Sequence, residues 1–143
     1  MKVIIDTNVI IDILERREPF FADSYRLVQL GLQGALEALV GAGAVTDVYY
    51  VISQSLRRQG ISGQGKAKEK IAALKTLVGI CDTTAPDIDA ALALDMTDFE
   101  DAVVAATAER EGADYIVTRN EADFTGSLVP AISPNGFLHR FSG

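Results

Sequence analysis

Short runs of branched apolar residues alternate along this chain with longer segments whose apolar residues recur at helical spacing. Lys2 to Asp6 holds three consecutive apolar residues and predicts a short strand that is buried on both faces. Comparable runs predict strands at Leu77 to Cys81, Tyr115 to Thr118 and Val129 to Ile132. The stretch Ala35 to Gly43 is apolar and interrupted by glycines, and its pattern does not distinguish a strand from a helix.

Helical spacing occupies the intervals between these strands. Thr7 and Asn8 are candidate caps for the first helix, and Pro19 begins a second one. Further helices are predicted over Val45 to Leu56, Gln64 to Leu77, Pro86 to Leu94, and Asp98 to Glu111 with Gly112 as the residue that ends it. Short strands that alternate with helices predict an α/β fold, in which helices cover both faces of a parallel sheet.

Composition narrows the class of protein. Hydrophobic residues make up 48% of the 143 residues, which excludes a disordered chain, and the length suits one domain over residues 1–143. The N-terminus meets Asp6 after three apolar residues, and no apolar run approaches the ~18 residues of a membrane span, so neither a signal peptide nor a membrane partner is expected. A single cysteine, Cys81, cannot form an internal disulfide, and we expect a cytoplasmic protein with Cys81 as a small hydrophobic residue.

Charge is distributed unevenly along the chain. The net charge is −7, which repels nucleic acid unless a bound cation or a clustered basic face reverses the sign locally. Arg57 to Lys75 contains six cations and one acid, whereas Asp82 to Asp101 contains seven acids and no cation. The basic segment is either a solvated helix face or a surface that follows phosphates, and the second interpretation makes Arg57 and Lys66 candidate substrate contacts.

Carboxylates stand near the predicted carboxyl ends of strands, where open parallel sheets bind ligands. Asp6 ends the first strand and is either a helix cap or a cation ligand. Asp98 and Asp101 are three residues apart and therefore share one face at the start of a helix. Thr97 and Glu100 form a candidate capping box there, which leaves Asp101 without a structural role.

Two further acids extend this set. Asp123 follows the Tyr115 to Thr118 strand together with Asn120, and these side chains either cap a short helix or surround a shared ion with the Thr118 hydroxyl. Asp47 lies off the apolar stripe near the start of its helix, so it is either a solvent-facing residue or a fourth acid of the site. None of these segments contains a histidine, and His139 is expected on the surface or in packing. Carboxylate, amide and hydroxyl oxygens suit Mg²⁺ or Mn²⁺, which predicts phosphodiester hydrolysis by activated water.

Three segments together resemble motifs of the PIN domain family. Val3 to Asp12 resembles the first motif, Asp98 to Ala102 with the alanines that follow resembles the third, and Gly112 to Asn120 with Asp123 and Phe124 resembles the fourth. The length is similar to that of small stand-alone PIN domains, the VapC-type toxins of bacterial and archaeal toxin–antitoxin pairs. The resemblance implies a three-layer α/β/α fold whose central, mostly parallel sheet has four to five strands.

The resemblance also implies an endoribonuclease that depends on Mg²⁺ or Mn²⁺. Asp47 stands where many members of the family have glutamate, which is one methylene longer. The implied catalytic residues are Asp6, Asp47, Asp101, Thr118, Asn120 and Asp123. The implied metal ligands are Asp6, Asp98, Asp101 and Asp123, and the predicted substrate contacts are Asn8, Arg57, Lys66 and Arg119.

Partners follow from the same resemblance: an RNA substrate, a cognate antitoxin that blocks the site, and a second copy in a homodimer. An apolar helical surface could serve such a contact or pack in the core, and core packing is the expectation for Phe20, Phe21, Leu27 and Leu30.

Other classes of protein share part of the pattern. A haloacid-dehalogenase-type phosphatase needs a second acid two residues after Asp6, where Asn8 stands. A receiver domain could use Asp82 as its phosphoacceptor, but the acid pair expected after its first strand is absent. A catalytically weak PIN-like module that only binds RNA or an antitoxin is the nonenzymatic alternative, and Asp47 in place of glutamate is its best support.

Overall fold

Five parallel strands form the sheet in the computed structural model, which describes residues 1–62 and 64–141. The strands are β1 (Lys2–Ile5), β2 (Glu37–Gly41), β3 (Gly79–Cys81), β4 (Tyr115–Val117) and β5 (Ala131–Ile132). The α/β class and the parallel sheet are confirmed. The undecided stretch Ala35 to Gly43 contains β2, and a helix begins immediately after it.

The strand order β3-β2-β1-β4-β5 places β1 at the centre of the sheet. From β1 the sheet grows through β2 and β3 on one side, and through β4 and β5 on the other. This reversal makes the carboxyl ends of β1 and β4 a topological switch point, where open α/β sheets bind ligands. Pairing continues past the strand ends, because the backbone N–H of Asp6 donates to the carbonyl of Val117 at 2.9 Å.

Helices cover both faces of this sheet. Those in the described residues are α1 (Thr7–Leu14), α2 (Phe21–Leu32), α3 (Ala42–Arg58), α4 (Gln64–Leu77), α5 (Ala85–Ala93), α6 (Phe99–Arg110), α7 (Pro134–Phe141) and a 3₁₀ helix over Glu121–Phe124. The basic helix α4 has the bounds that the sequence predicts. Gly112, after α6, has a φ of 67°, the left-handed conformation expected of a glycine that ends a helix.

Successive residues of β1 point to opposite faces of the sheet, and each face has its own core. Val3 and Ile5 pack in the larger cluster, with residues of α1, α2, α3 and α7. Ile4 packs on the other face, in a cluster that contains Ile116 of β4 and alanines of α6. Because Val3, Ile4 and Ile5 are at most 1% exposed, both faces of β1 are covered, as the uninterrupted apolar run predicts.

Alanines of α6 divide between two contacts. Ala105 and Ala108 belong to the cluster around Ile4, so small side chains do allow α6 to lie close to the sheet. Ala102 and Ala106 instead cluster with Ala91 of α5. Contacts on two sides fix the position of α6 and therefore of its N-terminal turn, which carries the acids.

The cap of α1 differs from the sequence-based expectation. Asp6, and not Thr7 or Asn8, is the N-cap, because its backbone is extended and its Oδ1 accepts the Thr7 N–H at 2.8 Å. Thr7 is already the first helical residue. The two interpretations of Asp6 are therefore compatible, since a cap uses only part of the acceptor capacity of a carboxylate.

The capping box expected at the start of α6 is wrong. Asp98 is the N-cap, and its Oδ1 accepts the Asp101 N–H at 2.9 Å. The helix starts one residue later than the Thr97 motif suggests, so Asp98 has the extended backbone that a cap requires. Glu100 is thereby not needed for capping.

Several other expectations are met. Cys81 ends β3 and is 8% exposed, and His139 lies exposed on α7. Leu27 is fully buried, and Phe21 and Leu30 pack against the same core, whereas Phe20 is 39% exposed. No described helix combines the length and apolar character needed to cross a membrane.

Candidate active site

A cleft of about 530 Å³ opens at the carboxyl edge of the sheet. Segments that follow four strands line it, since Asp6 follows β1, Gly43 follows β2, Thr83 follows β3 and Asn120 follows β4. The structure brings seven of the predicted site residues into this lining: Asp6, Asn8, Asp47, Asp98, Asp101, Asn120 and Asp123.

Hydrogen bonds fix the Asp6 carboxylate in place. Its Oδ1 accepts the Thr7 N–H, and its Oδ2 accepts the Thr118 hydroxyl at 2.8 Å. The Asn8 amide reaches the same Oδ2 at 3.4 Å and the Thr118 Oγ1 at 3.3 Å, and its own Oδ1 accepts the Arg119 N–H at 3.3 Å. Asn8 therefore ties the end of β1 to the end of β4. Oδ1 accepts a single hydrogen bond and therefore keeps a lone pair for a ligand in the cleft.

Burial raises the pKa of Asp6, which is only 6% exposed. The hydrogen bonds from Thr118 and Thr7 lower it in part, and the nearby carboxylates of Asp98 and Asp123 raise it further. The net effect is an acid whose ionised form is unfavourable as long as no positive charge is close. Such a group favours the binding of a cation.

The carboxyl of Asp101 has a strongly raised pKa. Burial, followed by repulsion from Asp6, Asp98, Asp123 and Glu100, raises the pKa of this carboxyl to about 7. Its carboxylate accepts no hydrogen bond from the described residues that could offset these effects. At neutral pH the group is therefore roughly half protonated when no cation is bound.

The start of α3 also lines the cleft, through Gly43, Ala44 and Asp47. Asp47 lies one turn into this helix, and its charge is the largest cause, ahead of burial, of the raised pKa of Glu100. Thr83 Oγ1 accepts the Gly43 N–H at 2.9 Å, which joins the start of α3 to the segment after β3. A Cβ at Gly43 would lie 3.1 Å from Thr83 Oγ1, so glycine permits this close approach. Asp47 thus lines the same cleft as the acids of α6 and repels the Glu100 carboxylate.

The segment after β4 completes the cleft. Thr118 is fully buried, and its Oγ1 accepts the Asn120 N–H at 3.1 Å while its hydroxyl donates to Asp6. Asn120 occupies the N-cap position of the 3₁₀ helix, as one interpretation expects, but its side chain makes no cap bond. Asn120 and Asp123 both line the cleft. Asp123 also lines a neighbouring cavity of about 480 Å³, together with Asp98 and Asp101.

The four predicted metal ligands share this cleft and repel one another, but they do not form a ready-made cage. Across residues 1–62 and 64–141, no group of three or more aspartate, glutamate, histidine or cysteine side chains is spaced to hold a metal ion. The structure therefore does not show the predicted grip of three carboxylates on one ion. The donors are nevertheless all oxygen atoms, a set that fits Mg²⁺ or Mn²⁺ bound by one or two carboxylates and several retained waters.

Arg119, a predicted substrate contact, points away from the cleft. Its Nε and Nη2 donate to the Asp12 carboxylate at 2.6 and 3.3 Å, and its guanidinium lies 4.1 Å from the centre of the Phe20 ring. Asp12 is fully buried, so this ion pair holds the segment after β4 against α1. Arg57 and Lys66 are exposed and also lie outside the cleft lining.

Four polar residues that line the cleft are not among the predicted site residues: Thr7, Arg17, Thr83 and Glu100. Arg17 is the one cation among the described residues that line the cleft, and it makes no ion pair with them. It lies in the turn after α1, where nothing in the local sequence signals the cleft. For Glu100 a signal did exist, because it directly precedes Asp101 in an acidic helix start.

Known proteins resemble this chain over most of its length. A family model described as "PIN domain" matches residues 2–122. Ribonuclease VapC1 of Aquifex aeolicus (strain VF5) is 23% identical over 146 residues, which cover 99% of this chain and 96% of that protein.

Two solved structures share the fold. VapBC2 from Rickettsia felis, bound to a DNA fragment from its promoter, superposes with a TM-score of 0.72 at 15% identity, over 93% of this chain and 98% of the other. A toxin-antitoxin complex from Klebsiella pneumoniae superposes with a TM-score of 0.64 at 16% identity, over 92% and 97%. Since the family model spans most of the sequence and the described fold agrees with it, this chain belongs to the PIN domain family.

Proposed function

We propose that this chain is a metal-dependent endoribonuclease that hydrolyses RNA phosphodiester bonds and acts as the toxin of a toxin–antitoxin pair. The observation that carries the proposal is the cleft at the switch point of the sheet, which brings together Asp6, Asp101 and Asp123 from three distant segments. Burial, followed by repulsion from the other acids, raises the pKa of Asp101 there to about 7. Clustered acids of this kind are costly unless a cation and an anionic substrate use them.

RNA is the favoured substrate because the similar protein from Aquifex aeolicus is named a ribonuclease. An antitoxin partner is supported by the similarity to a toxin-antitoxin complex, and a homodimer remains part of the same proposal.

A Mg²⁺ or Mn²⁺ ion bound at Asp6 and Asp101 would screen the phosphate charge and activate water as the nucleophile. The residues of the chain prepare the site for this chemistry. Thr118 and Asn8 hold the Asp6 carboxylate in one orientation. The Asp98 carboxylate accepts the Asp101 N–H, and this cap bond fixes the first turn of α6 together with Asp101.

Three features of the chain would position the substrate and the attacking water. Arg17 provides the positive charge that a phosphate needs in a cleft otherwise lined by acids. Asp47 of α3 and Glu100 of α6 would orient water, and repulsion between them keeps the pKa of Glu100 raised. Asn120 offers an amide that can both donate to and accept from a ribose or a phosphate.

Cleavage of a structured RNA by the purified chain tests this proposal. We expect cleavage with Mn²⁺ or Mg²⁺ and none in EDTA. The rate for Asp6→Asn should fall by at least about 100-fold, because the substitution removes a carboxylate ligand of the metal together with its charge. Asp89→Asn, on the exposed side of α5, is the matched control and should cleave at the rate of the unchanged chain.

Two results would contradict the assignment. Cleavage by Asp6→Asn at the unchanged rate would exclude the proposed site. RNA binding without cleavage at any divalent metal would instead favour the nonenzymatic module.

A further inference from the structure

One face of α3 leads from the cleft to the basic end of that helix. Asp47, Tyr50, Gln54 and Arg57 stand at positions i, i+3, i+7 and i+10, so they share one side of the helix. We call these residues the α3 stripe. The buried residues of α3 lie on the other side: Ala44, Val48, Ile52 and Leu56. With a rise of 1.5 Å per residue, the stripe is about 15 Å long.

Tyr50 is the aromatic member of the α3 stripe and is 63% exposed. Beside it lies a shallow cavity of about 150 Å³, lined by Tyr49, Tyr50, Ser53, Gln54, Arg57 and Gln64. An exposed aromatic ring next to a cation and two amides is the combination on which unpaired nucleobases stack and form hydrogen bonds. The cavity is thus suited to a nucleotide.

The cations at the far end of the α3 stripe have no acidic partners. Arg57, Arg58, Lys66 and Lys68 make no ion pair with the described residues, whereas Lys70 pairs with Glu15 at 3.0 Å. On a chain with a net charge of −7, these unpaired cations concentrate positive charge at one place. Such a cluster attracts the phosphates of a nucleic acid.

We infer that the α3 stripe is a binding track for single-stranded RNA, with a base stacked on Tyr50 and the next phosphates on Arg57 and Lys66, which directs the strand into the cleft at Asp47. The inference rests on the proposed function and names single-stranded RNA as its substrate class. A duplex fits this surface less well, because stacking on Tyr50 requires an unpaired base. The binding track also gives Arg57 and Lys66 the role in substrate binding that the sequence predicts, although both residues lie outside the cleft.

Fluorescence anisotropy with a labelled single-stranded oligouridine tests the track. The full chain carries Asp6→Asn and the buffer contains EDTA, so the RNA stays intact. We expect Tyr50→Ala to weaken binding by about tenfold, and Tyr50→Phe, which keeps the ring, to remain within about twofold. Arg57→Gln should reduce the slope of log K against log salt by about 0.7. Arg26→Gln, exposed on α2, removes the same charge elsewhere and should leave both quantities unchanged.

Two outcomes would overturn the inference. One is an RNA affinity that Tyr50→Ala and Arg57→Gln leave unchanged. The other is a change in molar mass of Tyr50→Ala in light scattering, which would make the stripe a contact between copies of the chain. Binding is measured without cleavage, so a failure here is separate from a failure of the nuclease assignment, which is read from metal-dependent cleavage by the unchanged chain.

Discussion

The hydroxyl of Thr118 donates a 2.8 Å hydrogen bond to Oδ2 of Asp6, and both residues are buried at the carboxyl ends of the two central strands. The bond joins residues that are 112 positions apart in the sequence. It partly offsets the cost of burying the Asp6 charge. The Thr118 Oγ1 also accepts a hydrogen bond from the Asn120 N–H. One hydroxyl therefore orients both ends of the predicted site.

Thr118→Val removes this hydroxyl and nearly keeps the shape of the side chain. We expect the free energy of unfolding in urea to fall by about 1–3 kcal/mol, because Asp6 and the Asn120 N–H lose a buried partner. Cleavage should fall as well, and Thr118→Ser should restore most of both. If the valine variant were as stable and as active as the unchanged chain, the bond would not matter for the site.

Asp101→Asn removes the carboxyl whose pKa is raised to about 7. In the unchanged chain, the folded state binds the Asp101 proton more tightly than the unfolded state does. The free energy of unfolding of that chain therefore falls as the pH rises from about 4 to 7, and it stays low above pH 7. We expect the variant to unfold at a higher temperature than the unchanged chain at pH 8 in EDTA, by a few degrees after allowance for solvent screening.

The difference between these two proteins should shrink at pH 4 to 5, where Asp101 is protonated in the unchanged chain. Added Mn²⁺ should stabilise the unchanged chain more than the variant. Asp89→Asn, an exposed acid of α5, is the control and should show no such pattern. A lower unfolding temperature for Asp101→Asn at pH 8 would contradict the crowded-acid description of the cleft.

Asp87 provides a contrast, because its pKa is lowered. Burial opposes its ionisation, but hydrogen bonds from Arg110 at 2.8 Å and from the Thr84 backbone outweigh burial. Stability from this group is fully present above a pH of about 4 and is lost as the pH falls through the lowered pKa of the folded state. We expect Asp87→Asn to lower the unfolding temperature between pH 5 and 8 and to approach the unchanged chain at pH 2 to 3. A constant difference across that pH range would exclude this assignment.

Arg17→Gln tests the cation of the cleft. We expect KM for RNA to rise several-fold with a smaller change in kcat, and the salt dependence of binding to weaken by about 0.7 in slope, because one phosphate contact is lost. Arg16→Gln is the neighbouring control, since that guanidinium lies 5.7 Å from the Phe21 ring and not in the cleft lining. Equal effects of the two substitutions would assign the result to net charge alone.

Local patterns allowed the prediction of much of the fold. Branched apolar runs predicted β1 and β4, helical spacing predicted the bounds of α4, and the acids at the strand and helix ends were correctly placed near one edge. The helix caps were not predictable in the same way. Whether Asp98 or Thr97 caps α6 depends on where the backbone leaves its extended conformation, and the packing of α6 on the sheet and on α5 decides that.

Residues that depend on long-range contacts could not be assigned from the sequence. Arg119 reads as a substrate contact because it follows a strand, but its partner Asp12 lies 107 positions away and is fully buried. The buried Asp12 carboxylate is stabilised by a paired cation, and only the fold shows which cation is near enough. Arg17 is the converse case, because an unremarkable turn after α1 brings it to the cleft.

The sequence by itself determined which segments form strands and helices, the family likeness and the identity of the acids, because each of these is written in neighbouring side chains and their spacing. The tertiary structure decided which acids face one another, which cations are neutralised by buried partners and which remain free. Those properties depend on distances between segments that are far apart in the chain, and electrostatic and hydrogen-bond energies are set by such distances.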